Sequence, residues 1–177
     1  MSRQLAAAGL ACGVALVAAG CGGGSGPLAW PKDAGTSVSG VPVRPGQFGL
    51  TSIPLDPRLI KQPWVLLAVR PQYPKDAHGL RIRYGAKTIR GAEIGGAAGW
   101  RPKARGLHPL AGYVVHPHTP TEIVIGAAAA KPGTYLLRGF IVDYRVVGTT
   151  YHAAQQIGLQ VCVRRPCNSV KMGWLGG

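Results

Sequence analysis

Histidines are the side chains of this 177-residue chain best suited to binding a metal ion. His116 and His118 stand two residues apart, so both imidazoles would lie on one face of an extended backbone. With His108 or His152 nearby, the pair could bind copper or zinc in an oxidising compartment. A blue-copper site also needs a cysteine and a methionine around a C-terminal histidine, but no histidine stands between Cys162 and Met172. The alternative is that both histidines are exposed loop residues between prolines.

Two cysteines near the C-terminus, Cys162 and Cys167, form a second candidate pair. They lack the Cys-x-x-Cys spacing of redox motifs, and no histidine follows Cys167 to complete a metal site. An even pair of cysteines in an exported domain is typical of a disulfide. We therefore predict a Cys162–Cys167 disulfide that staples a short loop.

Acidic residues are scarce, with only six Asp and Glu in the whole chain. None lies in a recognisable acid/base motif, and the chain has neither a Gly-x-Ser-x-Gly elbow nor a phosphate-binding loop. Asp143 is expected on the outer face of a strand near Arg145, in a cross-strand ion pair. The sequence thus predicts no catalytic residues and no enzyme activity. The alternative is an envelope hydrolase whose site is assembled from dispersed residues.

Trp100 is the aromatic residue best placed for recognition, because it follows a Gly-rich run and precedes three cations, Arg101, Lys103 and Arg105. A tryptophan among cations on a loop could stack on sugar rings or contact lipid headgroups. We take these four residues as a possible recognition surface. The alternative is that Trp100 closes one end of the folded domain.

The chain carries a formal net charge of +14. Such a charge attracts anionic surfaces, here anionic lipid headgroups or acidic wall polymers. Nucleic acid is not an expected partner, because the sequence has no basic helix, zinc finger or RNA-binding signature. A general abundance of Arg, Ala, Gly, Pro and Val would produce the same charge without a function.

The N-terminus is typical of a signal peptide. Arg3 gives a positive start, an uncharged apolar run covers residues 5–19, and small residues precede Cys21. A membrane span is the alternative, but the run is shorter than the roughly 20 apolar residues that a span needs. A Gly-rich stretch without a cationic stop signal follows it.

Residues 17–21, Val-Ala-Ala-Gly-Cys, resemble the lipobox of bacterial lipoproteins. The resemblance covers only residues 1–21, and Ala18 stands where leucine is usual. It implies that residues 1–20 are removed and that Cys21 carries a diacylglycerol, with no other cofactor expected. Two acyl chains suffice for stable anchoring, which would place the protein on the extracytoplasmic face of the cell membrane. The residue after Cys21 is Gly22 and not the aspartate that is associated with inner-membrane retention in double-membraned bacteria.

Composition divides the remaining chain into a tether and one domain. Residues 21–62 are expected to be a lipid-anchored tether and transition, since residues 22–40 are rich in Gly, Ser and Pro. Asp56-Pro57 resembles the start of a short helical turn. Residues 63–177 are expected to form the folded domain.

Alternating and short apolar runs in that domain predict strands. The last two strands would form a hairpin through Gly148-Thr149, with Cys162 pointing outward and Trp64 in the core. The pattern predicts an all-β fold, a single β-sandwich of about seven strands, either immunoglobulin-like or cupredoxin-like. The predicted strands are residues 64–69, 80–84, 88–94, 112–116, 121–125, 135–147 and 151–163.

These observations favour a lipid-anchored, non-catalytic binding module of the cell envelope. Its partner would be a protein or an anionic envelope component. Extracytoplasmic copper or zinc binding through His116 and His118 is the second hypothesis, and an envelope hydrolase is the third.

Overall fold

The computed structural model describes residues 26–28, 37–56, 58–89 and 96–167. The predicted signal peptide, Cys21 and most of the predicted strand 88–94 lie outside these ranges. The described residues contain twelve strands and three short 3-10 turns, so the fold is all-β, as predicted. The strands are β1 Ser37–Val43, β2 Gly49–Leu55, β3 Trp64–Pro71, β4 Arg81–Thr88, β5 Ala97–Ala98, β6 His108–Pro109, β7 Val114–Val115, β8 Thr121–Ala128, β9 Gly133–Leu137, β10 Phe140–Val146, β11 Thr149–Gln155 and β12 Ile157–Val163.

The strands form three sheets, an arrangement consistent with the predicted β-sandwich. The three-stranded sheet has the order β1-β12-β9, the four-stranded sheet β11-β10-β3-β7 and the five-stranded sheet β5-β2-β8-β4-β6. Neighbouring strands are antiparallel except β1 and β12, which are parallel. The choice between the immunoglobulin-like and cupredoxin-like variants stays a prediction.

One hydrophobic core joins the three sheets. Trp64 is buried in this core, as expected, and its ring is 5.1 Å from that of Tyr144. A second, smaller cluster of Phe48, Leu50, Val124 and Ala128 forms separately, on and beside the five-stranded sheet. All eight residues of β8 are buried, because both faces of this central strand are covered.

The long hairpin predicted at the C-terminal end is present, but it turns at Val147-Gly148 rather than at Gly148-Thr149, and each of its arms is divided between two sheets. The predicted strand 135–147 is β9 followed by β10, and the predicted strand 151–163 is β11 followed by β12. β10 pairs with β11 in one sheet, while β9 pairs with β12 in another. Bends of this kind make the corners of sandwiches. Gly139 lies in the bend at φ 132°, where a Cβ would come within 2.9 Å of the Gln155 carbonyl oxygen.

The expected start of the domain at residue 63 is too late, because β1 and β2 precede it. β1 pairs with β12 along its full length, so residues 37–40 belong to a strand rather than to a tether. Val41 and Val43 of β1 are buried in the core. Composition missed this strand because the partner that supplies its hydrogen bonds lies more than a hundred residues away in sequence.

Asp56 begins a turn rather than a helix. Its carboxylate accepts a 2.9 Å hydrogen bond from the backbone N–H of Arg58. It also forms an ion pair with the Arg58 guanidinium, at 2.7 Å. Those hydrogen bonds hold the pKa of the Asp56 carboxyl below its usual value. Asp56 directly follows β2, and its carbonyl accepts a 3.1 Å turn hydrogen bond from the Leu59 N–H.

Candidate functional site

The predicted disulfide between Cys162 and Cys167 is present, with the two Cα atoms 5.5 Å apart. Cys162 alternates with the core residues Val161 and Val163 along β12, but the expected surface position is wrong, since its side chain is fully buried. β12 is the central strand of its sheet, and the disulfide packs over Gly40 of the neighbouring β1. A Cβ at Gly40 would lie 3.1 Å from that of Cys167.

The two histidines proposed as metal ligands are both exposed, on the turn between β7 and β8. His118 adopts the left-handed conformation, with φ 56°. His108 lies elsewhere, with its ring 5.8 Å from that of Tyr113. Across the described ranges, no three His, Cys, Asp or Glu side chains form a group that could hold a metal ion. Metal binding through His116 and His118 stays a prediction.

Each of the four carboxylates in the described ranges is paired with a cation. The most buried is Glu122, whose carboxylate is 3.0 Å from the Lys87 ammonium. Asp76 binds the Arg138 guanidinium through both oxygens, at 2.7 and 2.9 Å. Three of these pairs join separate segments of the chain, whereas the Asp56–Arg58 pair is local.

Asp143 makes cross-strand pairs, as predicted. Its carboxylate lies 3.5 Å from Arg70 of β3 and 2.6 Å from Nδ1 of His152 on β11. Arg145 is two residues along the same strand and is exposed. The polar row therefore crosses three adjacent strands of the four-stranded sheet.

Trp100 packs on the face of the five-stranded sheet that carries the smaller cluster, opposite the main core. Its half-buried ring packs in the smaller cluster, 6.1 Å from the ring of Phe48. Gly126 of β8 permits this approach, because a Cβ there would lie 2.6 Å from the indole. Sequence reasoning missed Gly126, whose importance depends on which residue lies above it.

The three cations that follow Trp100 lie in and beside a 3-10 turn, Lys103–Arg105. Arg101 and Lys103 are exposed, whereas Arg105 is half-buried. The Arg105 guanidinium donates a 3.4 Å hydrogen bond to the Ala98 carbonyl, which ties the turn back to β5. The predicted recognition residues are thus on one loop, held against the sheet by Trp100.

Two arginines of β4 lie beside the Trp100 loop and extend its positive surface. The sequence placed them only on the outer face of a strand. Arg81 and Arg83 of β4 lie over the Phe48 ring, with guanidinium carbons 5.0 and 5.2 Å from its centroid. Arg81 also donates a 3.1 Å hydrogen bond to the Gly46 carbonyl. Their alternation along the strand was visible in the sequence, but their meeting on Phe48 was not. We call Arg81, Arg83, Arg101, Lys103 and Arg105 the cationic face.

An open groove of about 440 Å³ lies beside Trp100 and Arg83. Its walls come from β3, β4 and the segment that follows β6, and most of its lining is apolar. Tyr84 contributes its ring, and burial raises the pKa of the phenol to about 12. Burial therefore favours the neutral form of this phenol over the phenolate.

No protein-family model matches this chain, and no curated protein matches it either. Among the residues placed by the structure, no helix is long and apolar enough to cross a membrane.

Proposed function

We propose that this chain is a lipoprotein anchored through Cys21 on the extracytoplasmic face of the cell membrane. It acts without catalysis, as a module that binds an anionic polymer of the cell envelope through the cationic face. The observation that carries the proposal is the placement of the Arg81 and Arg83 guanidinium groups over one aromatic ring.

The two guanidinium groups are within about 10 Å of each other, because each is about 5 Å from the Phe48 centroid. Neither has a carboxylate within 4 Å among the described residues, whose four acids are paired elsewhere. An anionic group held between them would be attracted by both. The ring restricts the two side chains in advance, which lowers the entropy lost on binding.

The neighbouring groove supports a polymer rather than a free ion as the ligand. Trp100 and Tyr84 present aromatic surface beside Arg83, and aromatic rings stack well on the apolar faces of sugars. Arg101 and Lys103 extend the positive surface beyond the groove. A chain of sugars with repeated negative charges would contact both features at once.

The N-terminal lipobox resemblance supports this location, and the chain without residues 1–20 keeps a net charge of +13. An anionic polymer outside the membrane would be concentrated near such a protein by long-range attraction.

A binding comparison tests the proposal. The purified full-length protein is titrated with an anionic polysaccharide, and its affinity is compared with that of the Arg81→Gln/Arg83→Gln variant. We expect the variant to bind at least about tenfold more weakly, which corresponds to about 1.4 kcal/mol. Affinity of the parent protein should fall as salt is added.

The matched control is Arg164→Gln/Arg165→Gln, which removes the same charge from two exposed arginines elsewhere. Equal losses in both variants would mean that net charge alone causes binding, and would overturn the assignment to the cationic face. Preference for phosphatidylglycerol vesicles over the polysaccharide would replace the polymer with a lipid partner. Turnover of substrates in a hydrolase screen would overturn the non-catalytic role.

A further inference from the structure

The N-terminal segment docks on the domain shortly after the proposed lipid site. Leu28 is 2% exposed and belongs to the main core. Its N–H donates a 2.9 Å hydrogen bond to the Tyr144 hydroxyl, and its carbonyl accepts one of 3.5 Å from Gln155. Gly26 lies against Tyr144 and Tyr151, so closely that a Cβ would come within 2.6 Å of each. Residues 26–28 are therefore held beside β10 and β11.

This docking limits how far the domain can be from its anchor. Cys21 precedes Gly26 by five residues. At no more than about 3.6 Å per residue, that length of chain reaches about 18 Å. The lipid attachment point thus stays close to the β10–β11 hairpin, whereas a free tether over residues 22–40 would have allowed a much longer reach.

The turn of that hairpin carries an unusual residue. Val147 and Gly148 form a two-residue connection in which both φ angles are positive, 46° and 81°. Such turns favour Asn-Gly, because a left-handed conformation costs an ordinary residue about 1–2 kcal/mol. Val147 is also 78% exposed, so its side chain gains no stabilising burial within the described domain that could offset the backbone strain.

The tip lies within reach of the anchor. Three residues of strand separate Val147 from Tyr144, a distance of about 10 Å. Arg145, next to the tip, is exposed and positively charged. An apolar side chain with a cation beside it suits the boundary between anionic headgroups and acyl chains.

We infer that the β10–β11 hairpin tip, Val147 with Arg145, rests in the headgroup layer of the membrane that holds the Cys21 lipid. The partner is a lipid surface, and the inference rests on the anchor in the proposed function. It assigns the domain a fixed orientation, with the turn end of the β10–β11 hairpin toward the membrane. Valine at position 147 makes the turn less stable than asparagine would, but it provides an apolar contact with the bilayer.

Photocrosslinking in a reconstituted membrane tests this orientation. The full chain, produced in cells that process lipoproteins, is placed in vesicles of phosphatidylcholine and phosphatidylglycerol. A benzophenone amino acid replaces Val147 in one sample and Thr134 in the other. Thr134 is the matched control, exposed on β9 at the opposite end of the same hairpin. We expect severalfold more lipid adduct from position 147.

The mass of the N-terminal peptide is measured in the same samples. This measurement distinguishes a failure of the proposed lipid anchor from a failure of the proposed orientation. An unmodified Cys21 would overturn both the anchor and the orientation. A diacylated Cys21 with no lipid adduct at 147, or with equal adduct at 134, would overturn the orientation and leave the anchor in place.

Discussion

The backbone N–H of Leu28 donates a 2.9 Å hydrogen bond to the hydroxyl of Tyr144, which follows it by 116 residues. Tyr144 is fully buried, and burial raises the pKa of its phenol. The bond therefore satisfies a polar atom that the core would otherwise isolate from water. It also makes the segment nearest the proposed anchor part of the core.

Truncating Leu28 measures the strength of this docking. Leu28→Ala should lower the free energy of unfolding by about 2–4 kcal/mol, since it removes a buried side chain and leaves a cavity. Denaturant titration of the full-length protein gives the value. The control is Leu59→Ala, at a leucine that is 44% exposed, where the change should stay below about 1 kcal/mol. Equal stability of Leu28→Ala and the parent protein would show that the segment is not docked.

Replacing Val147 should stabilise the protein. Val147→Asn is expected to raise the free energy of unfolding by about 1 kcal/mol, because asparagine tolerates the left-handed conformation that the turn requires. Val147→Thr keeps the branched Cβ and should bring no gain. Thermal unfolding of the three proteins checks both expectations, and a loss of stability in the asparagine variant would contradict the turn geometry.

Gly126 and Trp100 should be energetically coupled. Gly126→Ala places a Cβ where it would lie 2.6 Å from the indole, so the ring must move away from the sheet. We expect lower stability and tryptophan emission at longer wavelength. In a Trp100→Leu background the same alanine should cost less, because the smaller side chain leaves room. A double-mutant cycle measures the difference, and simple additivity would rule out the contact.

Alkaline pH should weaken the fold through Tyr84. Burial raises its pKa to about 12 in the folded state, above the ordinary value of about 10. The folded state therefore favours the neutral phenol. This contribution to stability is complete below about pH 10 and is lost as the pH rises toward 12. Unfolding free energies measured across that window should fall less steeply for Tyr84→Phe than for the parent protein. Identical slopes would contradict the assignment.

Local sequence patterns were sufficient to predict the all-β class, many strands and the disulfide. The alternation of Leu80, Ile82 and Tyr84 with two arginines identified β4, because a pleated strand turns successive side chains to opposite faces. The spacing of Cys162 and Cys167 identified their partnership, since only a short loop separates them.

Local patterns did not show where a long strand changes sheets. Residues 135–147 and 151–163 each alternate almost continuously, yet each divides between two sheets at Arg138-Gly139 and at Gln156. Side-chain periodicity is the same on both sides of such a corner. The position of the bend depends on how the sheets pack against each other, and the periodicity of side chains along a strand does not indicate that packing.

The sequence by itself determined which residues are apolar, charged or able to bond, and therefore the class of fold and the basic character of the surface. Only the tertiary structure decided which distant residues meet, as Arg81 and Arg83 do on Phe48 and Leu28 does on Tyr144. Neighbouring residues set the periodicity of a strand, whereas long-range contacts are selected by how well remote surfaces fit and bury one another. The candidate site consists of contacts of the second kind.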